Sequence, residues 1–259
     1  MMVNGIHQPS IISHQPSTMK LDILAFGAHP DDVELSCSGT ILKNISEGKK
    51  VGIIDLTKGE LGTRGTSVIR EKEAKAAAKI LGVEFRENLK MADGFFQNDK
   101  KHQLKIIQKI RQYKPDVVLA NAVEDRHPDH GRAAKLIADA CFLSGLAKIK
   151  TKASPGPKGR NIIQEAWRPK AVYHYIQYRK HDPDFAVDIT RFMDKKMEAI
   201  KAFSSQFYNP NSKEPITLIS QPKFFDYIKK REEEYGEIIN AKYAEGFNVM
   251  EEYRGEILI

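Results

Sequence analysis

The chain has 259 residues, 41% of them hydrophobic and 29% charged, with a formal charge of +7. That length is ample for one large α/β core, and the composition is that of an ordinary globular protein. No apolar run is long enough to span a bilayer, and Cys37 and Cys141 supply neither a C-x-x-C pair nor a disulfide framework, so both read as core filler in a reducing cytoplasm.

Residues 1–18 are polar, carry Pro9 and Pro16, and lack the charged start and apolar stretch of a signal peptide. They read as a flexible extension ahead of a single unit over residues 19–259. The apolar run at 21–26 predicts a buried strand, 33–47 a helix, and 51–56 the next strand. Over 67–81, Val68, Ala74, Ala77, Ala78 and Leu81 share one helical face, with Gly82 as the stop. A short strand at 83–89 and a helix at 104–113, ended before Pro115, come next. A buried strand at 116–120 and a helix over 131–146 complete this half. Repeated strand–helix alternation predicts a Rossmann-like, doubly wound, mostly parallel sheet with helices on both faces. A basic Pro/Gly loop at 148–160, containing Lys150, Lys152 and Lys158, interrupts the pattern. Strands at 171–178 and 185–189 and helices at 191–203 and 223–239 then continue the sheet and wall the cleft.

Two segments carry chemistry. Ala28-His29-Pro30-Asp31-Asp32 follows the first strand, and Arg126-His127-Pro128-Asp129-His130 follows the strand ending near Ala120. Both fall at carboxyl ends of parallel strands, where open α/β sheets bind their ligands. Each proline disfavours helix at the preceding residue, so His29 and His127 are expected on extended backbone with a helix starting behind them. Catalytic zinc typically takes three protein ligands from imidazole and carboxylate and keeps one position open. One such segment alone would read as a capping Asp and a surface His; two of them at strand ends point to a metal site. Two histidines and one carboxylate would hold the ion, leaving an Asp and a His for proton transfer. A dinucleotide oxidoreductase is disfavoured, because the first turn reads Gly27-Ala28-His29-Pro30 and lacks G-x-G-x-x-G. The lysines and arginines are scattered among glutamates without interleaved aromatics, so no nucleic-acid partner is expected; a small anionic substrate suits them better.

The run Gly27-Ala28-His29-Pro30-Asp31-Asp32-Val33-Glu34, with Gly39-Thr40 and His127-Pro128-Asp129-His130 downstream, resembles the LmbE-like (PIG-L) family of zinc N-acetylglucosaminyl deacetylases. The resemblance covers about residue 20 to nearly the C-terminus. Four more stretches resemble one branch, the bacillithiol-biosynthesis deacetylases, which act on N-acetylglucosaminyl malate. They are Thr57-Lys58-Gly59-Glu60-Leu61-Gly62-Thr63-Arg64-Gly65-Thr66, Met91-Ala92-Asp93-Gly94, Ser205-Gln206-Phe207-Tyr208-Asn209-Pro210 and Tyr243-Ala244-Glu245-Gly246-Phe247.

The resemblance implies His29, Asp32 and His130 as ligands of Zn2+, with Fe2+ or Co2+ as alternatives for an N/O ligand set. It makes Asp31 the general base and His127 the residue that stabilises the oxyanion and protonates the leaving amine. Asp129 would orient His127 and favour its charged form. Arg70 would contact the sugar, and Asp93 would be a carboxylate on the substrate wall. Arg64, in its Gly/Thr loop, is the candidate for the malate carboxylates, since a guanidinium fork matches that geometry; otherwise it shapes the loop. The implied reaction releases acetate and glucosaminyl malate, with deacetylation of a chitin oligomer as the alternative. A cytoplasmic homo-oligomer, trimeric or hexameric, with no membrane partner, completes the expectation. His174, between Tyr173 and Tyr175, reads as a packed strand residue, and no tyrosine can be assigned to the oxyanion.

Overall fold

The computed structural model describes residues 19–153 and 162–250; the expected extension at 1–18 and most of the Pro/Gly loop lie outside the described residues. Seven strands form one sheet: β1 (Ile23–Gly27), β2 (Val51–Thr57), β3 (Phe85–Met91), β4 (Val117–Ala120), β5 (Ala171–Tyr175), β6 (Phe185–Asp188) and β7 (Ala244–Val249). Their order is β3-β2-β1-β4-β5-β7-β6, the first five running parallel and β7 antiparallel to both of its neighbours. The Rossmann-like doubly wound expectation therefore holds, with an antiparallel edge added after the parallel half.

β1 lies between β2 and β4, with Ile23 in register with both Val51 and Val117. Because both faces are covered, its side chains are apolar throughout rather than alternating with polar ones. Leu24 and Phe26 pack with Ile107, Ile110 and Leu136, from helices α4 (Lys100–Tyr113) and α5 (Pro128–Ser144). Ile23 and Ala25 face the other way, toward Ile41 of helix α2 (Ser38–Ser46), Ile53 and Leu119. A further cluster, including Leu35, Ala77, Met197, Phe203 and Ile228, ties together α1 (Asp32–Ser36), α3 (Ser67–Leu81), α6 (Met193–Lys201) and α7 (Phe224–Ile238). That second apolar layer is what raises a wall beside the carboxyl ends of β1 and β4.

Local chemistry sets the helix ends. The Thr66 side chain accepts from Ile69 N at 3.3 Å to open α3, and Gly82, at φ 77°, closes it. α4 begins at Lys100, earlier than the apolar spacing predicts, because Asp99 caps it by accepting from His102 N at 2.9 Å.

Two expectations need correction. The helix over 33–47 is two helices, α1 and α2, broken at Cys37. The Glu245 carboxylate accepts from Gly39 N at 2.8 Å and Thr40 N at 2.7 Å, giving α2 an N-terminus of its own. Lys196 Nζ, fully buried, neutralises that carboxylate at 2.6 Å. A Cβ at residue 39 would lie 2.8 Å from Ile189, so close approach here demands glycine. The second correction is β7, which the pattern missed: Glu245 and Gly246 break its apolar alternation, yet pairing on both edges makes it a strand. No helix among the described residues is long and apolar enough to cross a membrane.

Candidate active site

The strand order reverses at β1, whose neighbours β2 and β4 lead the chain in opposite directions. The crevice outside the carboxyl ends of strands at such a switch point is where these sheets bind ligands. His29 follows β1 and His127 follows β4, so both motifs open into it. The β4 end is joined to the β1 end directly, Ala28 N donating to Asn121 Oδ1 at 2.9 Å.

Asp31 sits at the N-cap of α1 with φ 117°, ψ −21°, in a region costly for any residue but glycine. That twist sends adjacent carboxylates to different partners. Asp31 Oδ2 meets Arg70 Nη2 at 3.2 Å. Asp32 Oδ2 accepts from His29 N at 3.0 Å and Asn121 Nδ2 at 2.9 Å, while its Oδ1 accepts from Gln177 Nε2 at 2.6 Å. At the second motif His127 is extended (φ −83°, ψ 125°), with Pro128 opening α5 behind it. Its Nδ1 accepts from Asp129 N at 3.2 Å, which leaves Nε2 to carry the proton in the neutral ring.

The other two imidazoles share a pattern. His29 Nε2 lies 3.0 Å from Asp93 Oδ1 and 3.3 Å from Asp129 Oδ2, with its Nδ1 3.7 Å from Asp32 Oδ2. His130 Nδ1 lies 2.5 Å from Asp125 Oδ2, with its Nε2 3.3 Å from Asp32 Oδ1. Each ring gives its outer nitrogen to a carboxylate and turns its inner nitrogen to Asp32, the habit of metal-ligating histidines. Among the described residues, the groups with ligand atoms within 4.8 Å of one another are His29-His127-His130 and His29-Asp93-Asp129. Asp32 belongs to neither group, although its Oδ2 lies 3.7 Å from His29 Nδ1 and its Oδ1 3.3 Å from His130 Nε2. In the second group the carboxylates hold the outer nitrogen of His29, which favours them as supports rather than ligands.

The charges follow from these contacts. Burial alone would lower His29, but Asp129, Asp32 and Asp93 outweigh it and hold the ring well above its ordinary value. Burial would raise Asp32, yet His130 and His29 keep it well below. Asp31 is pushed up to about 7 by burial, with Arg70 opposing. Burial and the neighbouring rings of His29 and His130 lower His127.

The other predicted residues divide. Arg70 is buried beside Asp31 and lines the cavity; its Nη1 donates to Gly59 O at 3.3 Å, and its Nε has no partner among the described residues. Gly59, at φ 62°, makes room for it, since a Cβ there would lie 1.8 Å from Nη1. Asp93 also lines the cavity, its Oδ2 accepting from Leu61 N at 2.9 Å. The Asp129 carboxylate contacts His29 (3.3 Å), Gly94 N (2.8 Å) and Arg132 (2.5 Å), while its backbone N–H holds His127 Nδ1 and its charge favours the protonated His127 ring. Arg64 is not among the cavity-lining residues. Its guanidinium donates to Ser205 O (2.8 Å), Pro215 O (2.9 Å) and Ser212 Oγ (3.0 Å), pinning one loop to another.

Asn121, Asp125 and Gln177 were missed. Asn121 directly follows β4, and Gln177 comes just after β5, so a polar residue ending an apolar strand was the available signal. Asp125 stands five residues before His130, at the edge of the motif. The cavity, about 370 Å³, is lined by Asp125 and Gln177, with Leu61, Tyr178, Phe224 and Tyr227 among its walls.

Three comparisons bear on this arrangement. A family model described as PIG-L, GlcNAc-PI de-N-acetylase, matches residues 24–141, which include both motifs. The crystal structure of a conserved protein from Thermus thermophilus is 35% identical with a TM-score of 0.77, covering 92% of this chain and 97% of that one. A diacetylchitobiose deacetylase from Thermococcus kodakarensis is 28% identical, over 86% of this chain and 81% of its own length. A Bacillus anthracis protein bearing the name "Probable N-acetyl-alpha-D-glucosaminyl L-malate deacetylase 2" is 27% identical, over 71% of this chain and 81% of its own.

Proposed function

We propose, from the premise that this chain belongs to the PIG-L (LmbE-like) family, that residues 19–259 form one metal-dependent deacetylase unit acting on N-acetylglucosaminyl malate. The products are glucosaminyl malate and acetate. The broader statement, a deacetylase of N-acetylglucosamine-type compounds, rests on the family and on the relatives named above. Malate as the aglycone is supported by the Bacillus anthracis relative and by the +7 charge of the chain.

One observation carries the metal reading: His29 and His130 both give their outer nitrogens to carboxylates and turn their inner nitrogens to Asp32. His29, Asp32 and His130 would therefore hold the ion, as Zn2+, with Fe2+ or Co2+ also compatible with the donors. When bound, such an ion supplies Lewis acidity to the acetyl carbonyl and lowers the pKa of water to about 7.

The rest is done by side chains. Asp31, buried in the cavity and paired with Arg70, takes the proton of the attacking water. His127, with Nδ1 fixed by the α5 backbone, presents Nε2–H to the developing oxyanion, and the proton that Asp31 took from the water passes to the departing amine. Asp129, Asp93 and Asp125 keep the flanking imidazoles in one orientation and tautomer. Arg70 and Asp93 line the cavity space that the sugar would fill.

The direct test is acetate release from N-acetylglucosaminyl malate, diacetylchitobiose and N-acetylglucosamine by protein supplied with zinc. The malate glycoside should give the highest kcat/KM. Preference for diacetylchitobiose would move the substrate to the chitin oligomers, and no acetate from any of them would defeat the reading.

A further inference from the structure

Two uncharged side chains grip Asp32, and the direction of every hydrogen bond between them follows from one backbone group. Ala28 N can only donate, so the Asn121 atom that it meets at 2.9 Å is the amide oxygen. Asn121 Nδ2 then faces Asp32 Oδ2 at 2.9 Å and Gln177 at 3.3 Å. A donor there requires the near atom of Gln177 to be its oxygen. Its Nε2 is thereby turned to Asp32 Oδ1 at 2.6 Å, and lies 3.4 Å from His130 Nε2. Gln177 is therefore a donor to a ligand and has no oxygen to offer an ion. Asn121 is fully buried and Gln177 nearly so.

Gln177 is held from behind as well. Arg231, also buried, donates through Nη1 to Gln177 O and through Nη2 to Leu35 O at 2.6 Å. Leu35 belongs to α1, the short helix that begins at Asp32. One guanidinium thus ties the helix carrying Asp32 to the residue that grips its side chain. Lys196 Nζ adds a second donor to Leu35 O at 3.0 Å. Glu232 balances both cations, 2.6 Å from Arg231 and 2.9 Å from Lys196. Among the described residues, no lysine or arginine forms an ion pair with Asp32 itself. Such a cation in direct contact would repel a metal ion, whereas an amide fixes the direction of the carboxylate and leaves its charge available.

We infer that Gln177 is a positioning residue for Asp32: together with Asn121 it locks the carboxylate in the direction from which it binds the ion, and Arg231 anchors that lock. This rests on the metal reading above and adds to it the residues that set how tightly the ion is held.

The test measures two properties of the wild type, Gln177→Met and Arg231→Met. One is zinc affinity, by competition with a chromophoric chelator; the other is the visible absorption spectrum of the Co2+-loaded protein. Methionine is unbranched and removes every N–H donor of either side chain. Gln177→Met should bind zinc about 10–100-fold more weakly, the loss typical for a supporting partner of a metal ligand. Its Co2+ spectrum should shift, because Asp32 is free to turn. Arg231→Met should show the same shift with a smaller loss of affinity, since Gln177 keeps its amide and loses its anchor. Circular dichroism of the metal-free proteins shows whether each variant folds, and where one does not, the other decides on the same readouts. Wild-type affinity, or weaker affinity with an unaltered Co2+ spectrum, overturns the inference. A wild type that binds no zinc defeats the metal reading itself, and the inference falls with it.

Discussion

Asp31 and Asp32 are neighbours in sequence with opposite situations, and the difference is set by one backbone angle. The left-handed φ of 117° at Asp31 turns its carboxylate to Arg70, while Asp32 is left facing two imidazoles and two side-chain amides. The two should therefore separate on mutation. Asp31→Asn keeps the volume and removes the proton acceptor, so the protein should retain its metal and lose about 10²–10⁴-fold in kcat. Asp32→Asn should instead lower metal content. Elemental analysis beside steady-state kinetics checks both; normal turnover in metal-loaded Asp31→Asn would remove Asp31 from the role of base. The sequence made these two residues and the three histidines legible because His, Pro and Asp rarely cluster twice at strand ends. It did not reveal that the Asp129 carboxylate also contacts His29, while its backbone N–H meets His127. Asn121 and Gln177 were hidden for another reason: single polar residues ending strands look like ordinary solvent contacts until the sheet brings them onto Asp32.

At the scale of elements, the parallel half was readable because buried parallel strands are continuous apolar runs separated by helices with clear caps. The antiparallel edge was not, because β7 carries Glu245, a buried carboxylate whose purpose is to cap α2 some 206 residues earlier in the chain. Loop-to-loop contacts are equally silent in sequence. Arg64 lies in a Gly/Thr loop that looked open to a ligand, but it is only 4% exposed and donates to carbonyls of the loop after α6. Arg64→Ala removes three part-buried hydrogen bonds and should lower stability by about 1–3 kcal/mol. It should lower kcat/KM for malate and neutral glycosides by the same factor, because the change acts through the loop. Thermal unfolding together with the two substrates decides it; a loss confined to the malate glycoside would return Arg64 to the aglycone.

For the whole molecule, the position of the site follows from topology. The reversal of strand order at β1 leaves a crevice, α5 and α1 start in it, and the layer built by α3, α6 and α7 closes one side. Both motifs are delivered by rigid strand ends, so the histidines and Asp32 meet without any loop needing to fold over them. His29, Asp32 and His130 are proposed to hold one catalytic ion per chain for amide hydrolysis. The most direct measurement is a zinc titration of metal-stripped protein, following acetate release from the preferred glycoside, for the wild type and His130→Ala in parallel. Wild-type activity should rise from near zero and reach a plateau at one equivalent per chain, while His130→Ala should stay flat over the same range. Full activity in the stripped protein, or a normal titration in His130→Ala, would contradict the account.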